Sequence, residues 1–165
     1  MIRDHLTGKH SQLDAAQIIM LMEQKRNFIL TEVRKFAESL PPGFKERLSR
    51  EVQITFAESL LDGTVFSIVE SLKDVQRLCE NRLYQDRQQR LIELQGVPDL
   101  DEQMRLIDVN IVKELDEIVS QQQSTLSQAG VPIIQVTQDP QEITLQMEII
   151  RFIITVHSKI SYGFS

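Results

Sequence analysis

The chain reads as all-α: an elongated helical bundle of about five helices, with long coiled-coil-like members and one short extended connector near 131–137. Three observations predict this. Apolar residues recur at three- and four-residue steps along most of the 165 residues. Six glycines and five prolines are too few for a sandwich or barrel, which needs a turn about every ten residues. Helix-stopping clusters fall at Pro41-Pro42-Gly43, Gly96-Val97-Pro98 and Ala129-Gly130. Residues 1–165 then form a single helical domain, with a flexible segment at 1–10, a break at 96–99 and a connector at 129–139.

The first helix is expected from about Ser11 to Leu40, with Ser11 as N-cap and Asp14 three positions on, a capping-box variant. Leu13, Ala16, Met20, Phe28, Val33, Phe36 and Leu40 share a broad apolar face, and Pro41 pushes Leu40 out of helical geometry. A second helical stretch covers about Phe44 to Leu61, where Leu48, Val52, Phe56 and Leu60 climb in fours. Next comes "LLDGTVF", whose Asp-Gly pair is by itself a strong hairpin signal. Apolar spacing is helical on both sides of the pair, so the reading here is a junction between helices. Gly63 supplies a left-handed C′ position, and Asp62 or Thr64 caps the next helix.

The third helix, about Val65 to Gln95, would measure roughly 46 Å, whereas a compact globule of this size is about 40 Å across. It must kink, sit in an elongated bundle or find a second chain. The fourth, about Leu100 to Gln128, carries the clearest repeat: Leu100, Met104, Ile107, Ile111, Leu115, Ile118, Gln122 and Leu126 follow an eleven-residue period that keeps a stripe nearly straight. Gln122 is its one polar member, either a register-setting residue or a position at a fraying end. "VPIIQVT" (131–137) reads as an extended connector. Asp139, Pro140 and Glu142 then open a fifth helix reaching about Lys159. Its two apolar stripes, Ile143-Met147-Ile150-Ile154 and Ile149-Phe152-Ile153-Val156-Ile160, call for burial at the centre or under another subunit.

Chemistry-bearing patterns are scarce. The net charge of −6 is uneven: residues 1–98 hold 14 basic and 14 acidic side chains, residues 99–165 hold 4 and 10. An acidic second half disfavours general binding to nucleic acid or anionic lipid. The lone Cys79 fits a reducing compartment, nucleus or cytoplasm, and reads as a small core residue. No membrane span or secretory leader is expected, since the greasiest run, "IIRFIITV", is far below about 20 residues. His5, His10 and His157 have no metal-ligand spacing, and His157 suits a helix C-terminus. "LTGKHS" lacks the upstream glycine, the following Ser/Thr and the preceding strand of a phosphate loop. Asp101-Glu102 and Asp116-Glu117 are read as solvated faces. Arg77, Arg82, Arg87 and Arg90, interleaved with Glu80, Asp86 and Glu93, read as an exposed ion-pair-laced helix.

"LLDGTVFSIVESLKDVQRLCENRLYQDR" (60–87) and "IVKELDEIVSQQQSTLSQAGVPIIQVTQDPQEITLQMEIIRFI" (111–153), together with "LPPGFKERLS" (40–49), resemble the blocks of the gonadal family. That family unites the insect gonadal protein and the vertebrate DiGeorge syndrome critical region protein six. The stretch Leu91 to Asn110 is shorter and less charged than in vertebrate members. The resemblance implies no enzyme activity, catalytic residue or cofactor to carry over. It implies a germline or developmental setting, with nuclear and other intracellular locations.

The functional expectation is therefore a non-enzymatic intracellular helical scaffold or adaptor, with no catalytic, cofactor or metal residues, acting through coiled-coil-type association. Its partners would be helical proteins in a homo- or hetero-oligomer. The residues expected to carry association are Met104, Ile107, Ile111, Leu115 and Ile118 on the fourth helix, and Ile149, Phe152, Ile153 and Val156 on the fifth. The alternative is a nucleic-acid binder using Arg77 to Arg90, and the remaining one an enzyme with a buried ionisable group.

Overall fold

The computed structural model describes residues 14–163. The segment 1–10, the phosphate-loop-like run and Ser11 lie outside the described residues. Six helices occur in order: α1 (Ala15–Ser39), α2 (Pro42–Lys45), α3 (Arg50–Ser59), α4 (Thr64–Glu93), α5 (Leu100–Gln128) and α6 (Pro140–Ser161), with no strand among the described residues.

The helix ends are set by side-chain chemistry. Asp14, rather than Ser11, caps α1: its carboxylate accepts from the Gln17 amide at 2.8 Å while the Gln17 side chain accepts from the Asp14 amide at 3.0 Å. That reciprocal box satisfies two amides that would otherwise lack partners. Leu40 leaves helical geometry at ψ 151°, as the following proline requires. The single stretch expected over Phe44 to Leu61 is split in two. Ser49 is extended at ψ 164° and its hydroxyl accepts from the Val52 amide at 3.3 Å, which starts α3 afresh.

At the Asp-Gly pair, α3 and α4 meet at 78°. Gly63 is left-handed at φ 80°, and the Asp62 carboxylate accepts from the Thr64 amide at 2.9 Å. The junction is the expected one, but Gly63 sits at the N-cap of α4, since α3 has already closed at Leu60.

α6 lies at the centre of the core. Its Leu145, Ile149, Phe152, Ile153 and Val156 are buried together with Ile29 and Val33 of α1, Phe56 and Leu60 of α3, Val65, Phe66 and Val69 of α4, and Leu126 of α5. Phe152 stacks on Phe36 with ring centroids 4.6 Å apart and tilts against Phe56 at 5.5 Å. Glu32, only 8% exposed, is clamped by Lys159 of α6 at 2.7 Å and by Lys35 at 3.5 Å. The hydrogen bond from Lys159 holds its carboxyl below the ordinary carboxylate range, outweighing burial, which pushes the other way. Arg47, between α2 and α3, pairs with Glu142 in the first turn of α6.

The 131–137 segment is an extended connector, and its lack of a partner strand is resolved by glutamines. Gln123, 5% exposed, donates to the Thr137 carbonyl at 3.3 Å and accepts from the Thr137 amide at 3.2 Å. Gln146 donates to the Gln135 carbonyl at 3.0 Å. Side-chain amides thus stand in for a neighbouring strand's backbone. Ile133 adopts φ 74°, a strained value for a β-branched residue, in the turn between the buried Val131 and Ile134.

Two outcomes are expected. Ile153→Ala should cost about 2–5 kcal/mol in urea unfolding at unchanged m-value, because the surrounding helices cannot collapse onto the cavity. Lys159→Met should destabilise the protein at neutral pH, with the difference from wild type shrinking as pH falls through the lowered Glu32 value. The pair's contribution is fully present above the unfolded carboxylate pKa of about 4.3 and vanishes once Glu32 is protonated. Urea midpoints measured at neutral and at strongly acid pH check this.

Candidate interaction surfaces

α4 and α5 run antiparallel and leave the core as a two-helix arm, joined through Gly96 at φ 82°. Three cross-links mark its rungs: Gln122 donates to Gln76 at 2.8 Å, Arg82 to Glu114 at 2.8 Å, and Arg87 to Asp108 at 2.8 Å. The eleven-residue stripe of α5 is its seam. Met104, Ile107, Ile111, Leu115 and Ile118 are half-buried along the side that these rungs turn toward α4. On α4, Leu72, Cys79 and Leu83, with Leu94 at its C-cap, are buried or half-buried, and Leu72, Leu83 and Leu94 also recur at steps of eleven. Leu83, 6% exposed, is fully buried, while its neighbours on both helices keep some contact with water. The arm is a thin two-helix rod with little insulation.

This places the expected association residues. The five on α5 are engaged with α4 of the same chain. Ile149, Phe152, Ile153 and Val156 lie inside the core, covered by α1, α3 and α4. On the other stripe of α6, Met147 and Ile154 remain exposed, and Ile143 and Ile150 are half-buried.

The arginines that motivated the nucleic-acid alternative all have carboxylate partners. Arg77 pairs with Asp74, Arg82 with Asp86 and Glu114, Arg87 with Asp108, and Arg90 with Glu93. Asp108 is held below its ordinary range by the Arg87 hydrogen bond. Cys79 is half-buried on the arm, 3.6 Å from an Arg82 nitrogen, and not in the core where it was expected. His157 lies face to face with Phe66 at 4.8 Å, so its ring is part of the α4–α6 packing. Among the described residues no group of three His, Cys, Asp or Glu is placed to hold a metal. No single described helix is long and apolar enough to cross a membrane.

The surface that sequence reasoning missed is the beginning of α1. Ile18, Ile19, Met20, Leu21 and Met22 are 46–64% exposed, all five in a row. Sequence periodicity assigned Met20 alone to a core face. The signal was available: five consecutive large apolar residues exceed what a one-sided stripe at 3.6 residues per turn can hide. Ile29 and Val33 further along α1 are fully buried, so the helix carries its grease outward beyond the reach of α3. The arm adds Val75 and Leu78 on α4 and Val109, Val112 and Val119 on α5, each exposed by more than a third.

Leu83→Ala should loosen the arm selectively. Hydrogen exchange is expected to accelerate over residues 76–94 and 104–122 while amides of α1, α3 and α6 keep their protection, because the arm has almost no other fully buried side chain to hold its seam.

The family described as DiGeorge syndrome critical region 6 (DGCR6) protein matches over residues 6–97 and 95–162. A chicken protein named Protein DGCR6 is 33% identical over 175 aligned positions, covering 83% of this chain and 86% of its own length. The Drosophila melanogaster Gonadal protein gdl is 28% identical over 163 positions, covering 86% of this chain and 84% of its own. No solved structure matches the chain.

Proposed function

The chain belongs to the DiGeorge syndrome critical region 6 family, and from that premise we propose that it is a non-enzymatic helical adaptor, a protein that works by holding other polypeptides. The observation that supports this reading is the apolar surface left over after folding: the run at the start of α1, and the valines and leucine on the outer faces of the arm. Burying one Leu- or Ile-sized side chain is worth ~1.5–3 kcal/mol, so keeping several of them wet forfeits stability unless a partner covers them. A two-helix rod with apolar and charged outer positions suits coiled-coil-type recognition, in which flanking charges choose the partner.

An intracellular setting, nuclear or cytoplasmic, is part of the same proposal; a single cysteine with no second cysteine to pair with supports it. The name of the Drosophila relative supports a germline or developmental role. The pairing of Arg77, Arg82, Arg87 and Arg90 with carboxylates weighs against nucleic acid as the ligand.

Proximity labelling of the tagged protein in its native tissue, followed by reconstitution with each purified candidate, tests the reading. A protein partner should bind stoichiometrically, and Val112→Glu with Val119→Glu should weaken it at least ~tenfold at unchanged thermal midpoint. RNA and duplex DNA should not be retained at low salt. Failure of every candidate to bind in purified form, or salt-sensitive nucleic-acid retention lost on reversing Arg82 and Arg87, would overturn it.

A further inference from the structure

We propose that the exposed start of α1 is a self-association surface, and that its occupant is the same segment of a second copy of this chain. The proposal rests on the adaptor reading and deepens it by naming one surface and its partner. Three features select a second copy.

First, the segment is free of charge. From Ala15 to Met22 no residue is ionisable, the nearest carboxylates being Asp14, engaged in capping its own helix, and Glu23. Along these two turns a copy brought against itself therefore meets no like charge, the usual obstacle to a symmetric contact; the charged groups Glu23, Lys25 and Arg26 stand at the edge of the run.

Second, the same segment carries both halves of a contact. Ile19 and Met22 line a largely apolar notch of about 280 Å³ whose wall is completed by Leu61, Glu23 and the stems of Lys25 and Arg26. The cationic heads of that wall are already engaged, Lys25 donating to the Leu61 carbonyl at 2.8 Å and Arg26 pairing with Glu58 at 2.7 Å. Ile18 and Leu21 protrude beside the notch at the next helical positions. A two-fold contact requires one patch to present projection and recess together, since each copy receives what it offers.

Third, the area suits a weak dimer. Of the five, Ile18, Ile19 and Met22 lie within about 100° of one another around the helix, and their exposed fractions come to roughly 350 Å² per copy, about 700 Å² across a symmetric pair, which is the size of a weak, transient contact. The dimer should accordingly form in the range of hundreds of micromolar, and raised salt should not weaken it.

Sedimentation velocity on the full chain across that range is the test. Wild type should pass from monomer to dimer with concentration, at low and at high salt alike. Ile19→Glu with Met22→Glu should remain monomeric at the highest concentration, with unchanged circular dichroism and thermal midpoint, because both residues lie outside the core. The milder Ile19→Ser with Met22→Ser should weaken dimerisation by at least ~tenfold. Wild type that stays monomeric throughout would overturn the proposal. So would a dimer indifferent to both pairs of substitutions but lost in Val112→Glu with Val119→Glu; that result would relocate the contact to the arm and leave the adaptor reading standing. Binding of monomer to anionic phospholipid vesicles, abolished by the Ile19 and Met22 substitutions, would assign the run to lipid and likewise overturn it. An adaptor that binds its reconstituted partner while remaining a monomer would sink this inference alone.

Discussion

Leu145, Ile149, Ile153 and Val156 climb α6 in steps of four, four and three and are almost wholly removed from water, and no single neighbour can hide such a stripe. α1 and α3 cover it on one side, and the first turns of α4 with Leu126 of α5 on another. Every other arrangement in the core answers to that demand. The 78° turn after α3 brings Val65, Phe66 and Val69 onto α6, and the strained Ile133 lies where the connector returns the chain to it. Two ion pairs tie the ends of α6, Glu142 with Arg47 near its start and Lys159 with Glu32 near its finish. The second, whose carboxylate is buried while Lys159 is half-exposed, is screened less by water than a fully exposed pair would be.

Periodicity made the all-α class and the bounds of α4, α5 and α6 legible, because long amphipathic helices write their faces into every turn. The eleven-residue stripe of α5 runs from Leu100 as read, and the Asp139-Pro140 start of α6 stands where its capping chemistry puts it. What periodicity could not supply was the identity of the covering surface. A greasy helix looks the same whether its own chain or another molecule encloses it, and Ile149 to Val156 turned out to be enclosed by α1, α3 and α4. The break at Ser49 escaped notice because apolar spacing in fours continues across it. The role of Gln123 was invisible for a different reason. A glutamine beside a seam reads as solvated until the fold lays a bare stretch of backbone, Thr137, against its amide.

Core and arm differ in kind. Among the described residues the core buries nineteen apolar ones in one cluster, whereas the arm holds its two helices mainly through half-buried seam positions, Leu83 and surface ion pairs. Such a rod belongs to the low-stability end of a structure, where local opening is least costly. The outer arm and the core around α6 are separate parts of the chain, so changes on the outer arm need not disturb α6.

The connector's fastening has its own consequence. Gln123 and Gln146 grip it with neutral amides, so the return of the chain toward α6 neither titrates nor responds to ionic strength, unlike the Glu32–Lys159 clamp. Because that return also anchors the base of the rod, pivoting there would be magnified mechanically. About 20 residues of α4 lie beyond the core, a lever of roughly 30 Å, so a rotation of only about 10° at its root would sweep the far tip through ~5 Å. Small rearrangements of the fulcrum would thus become large ones at the tip.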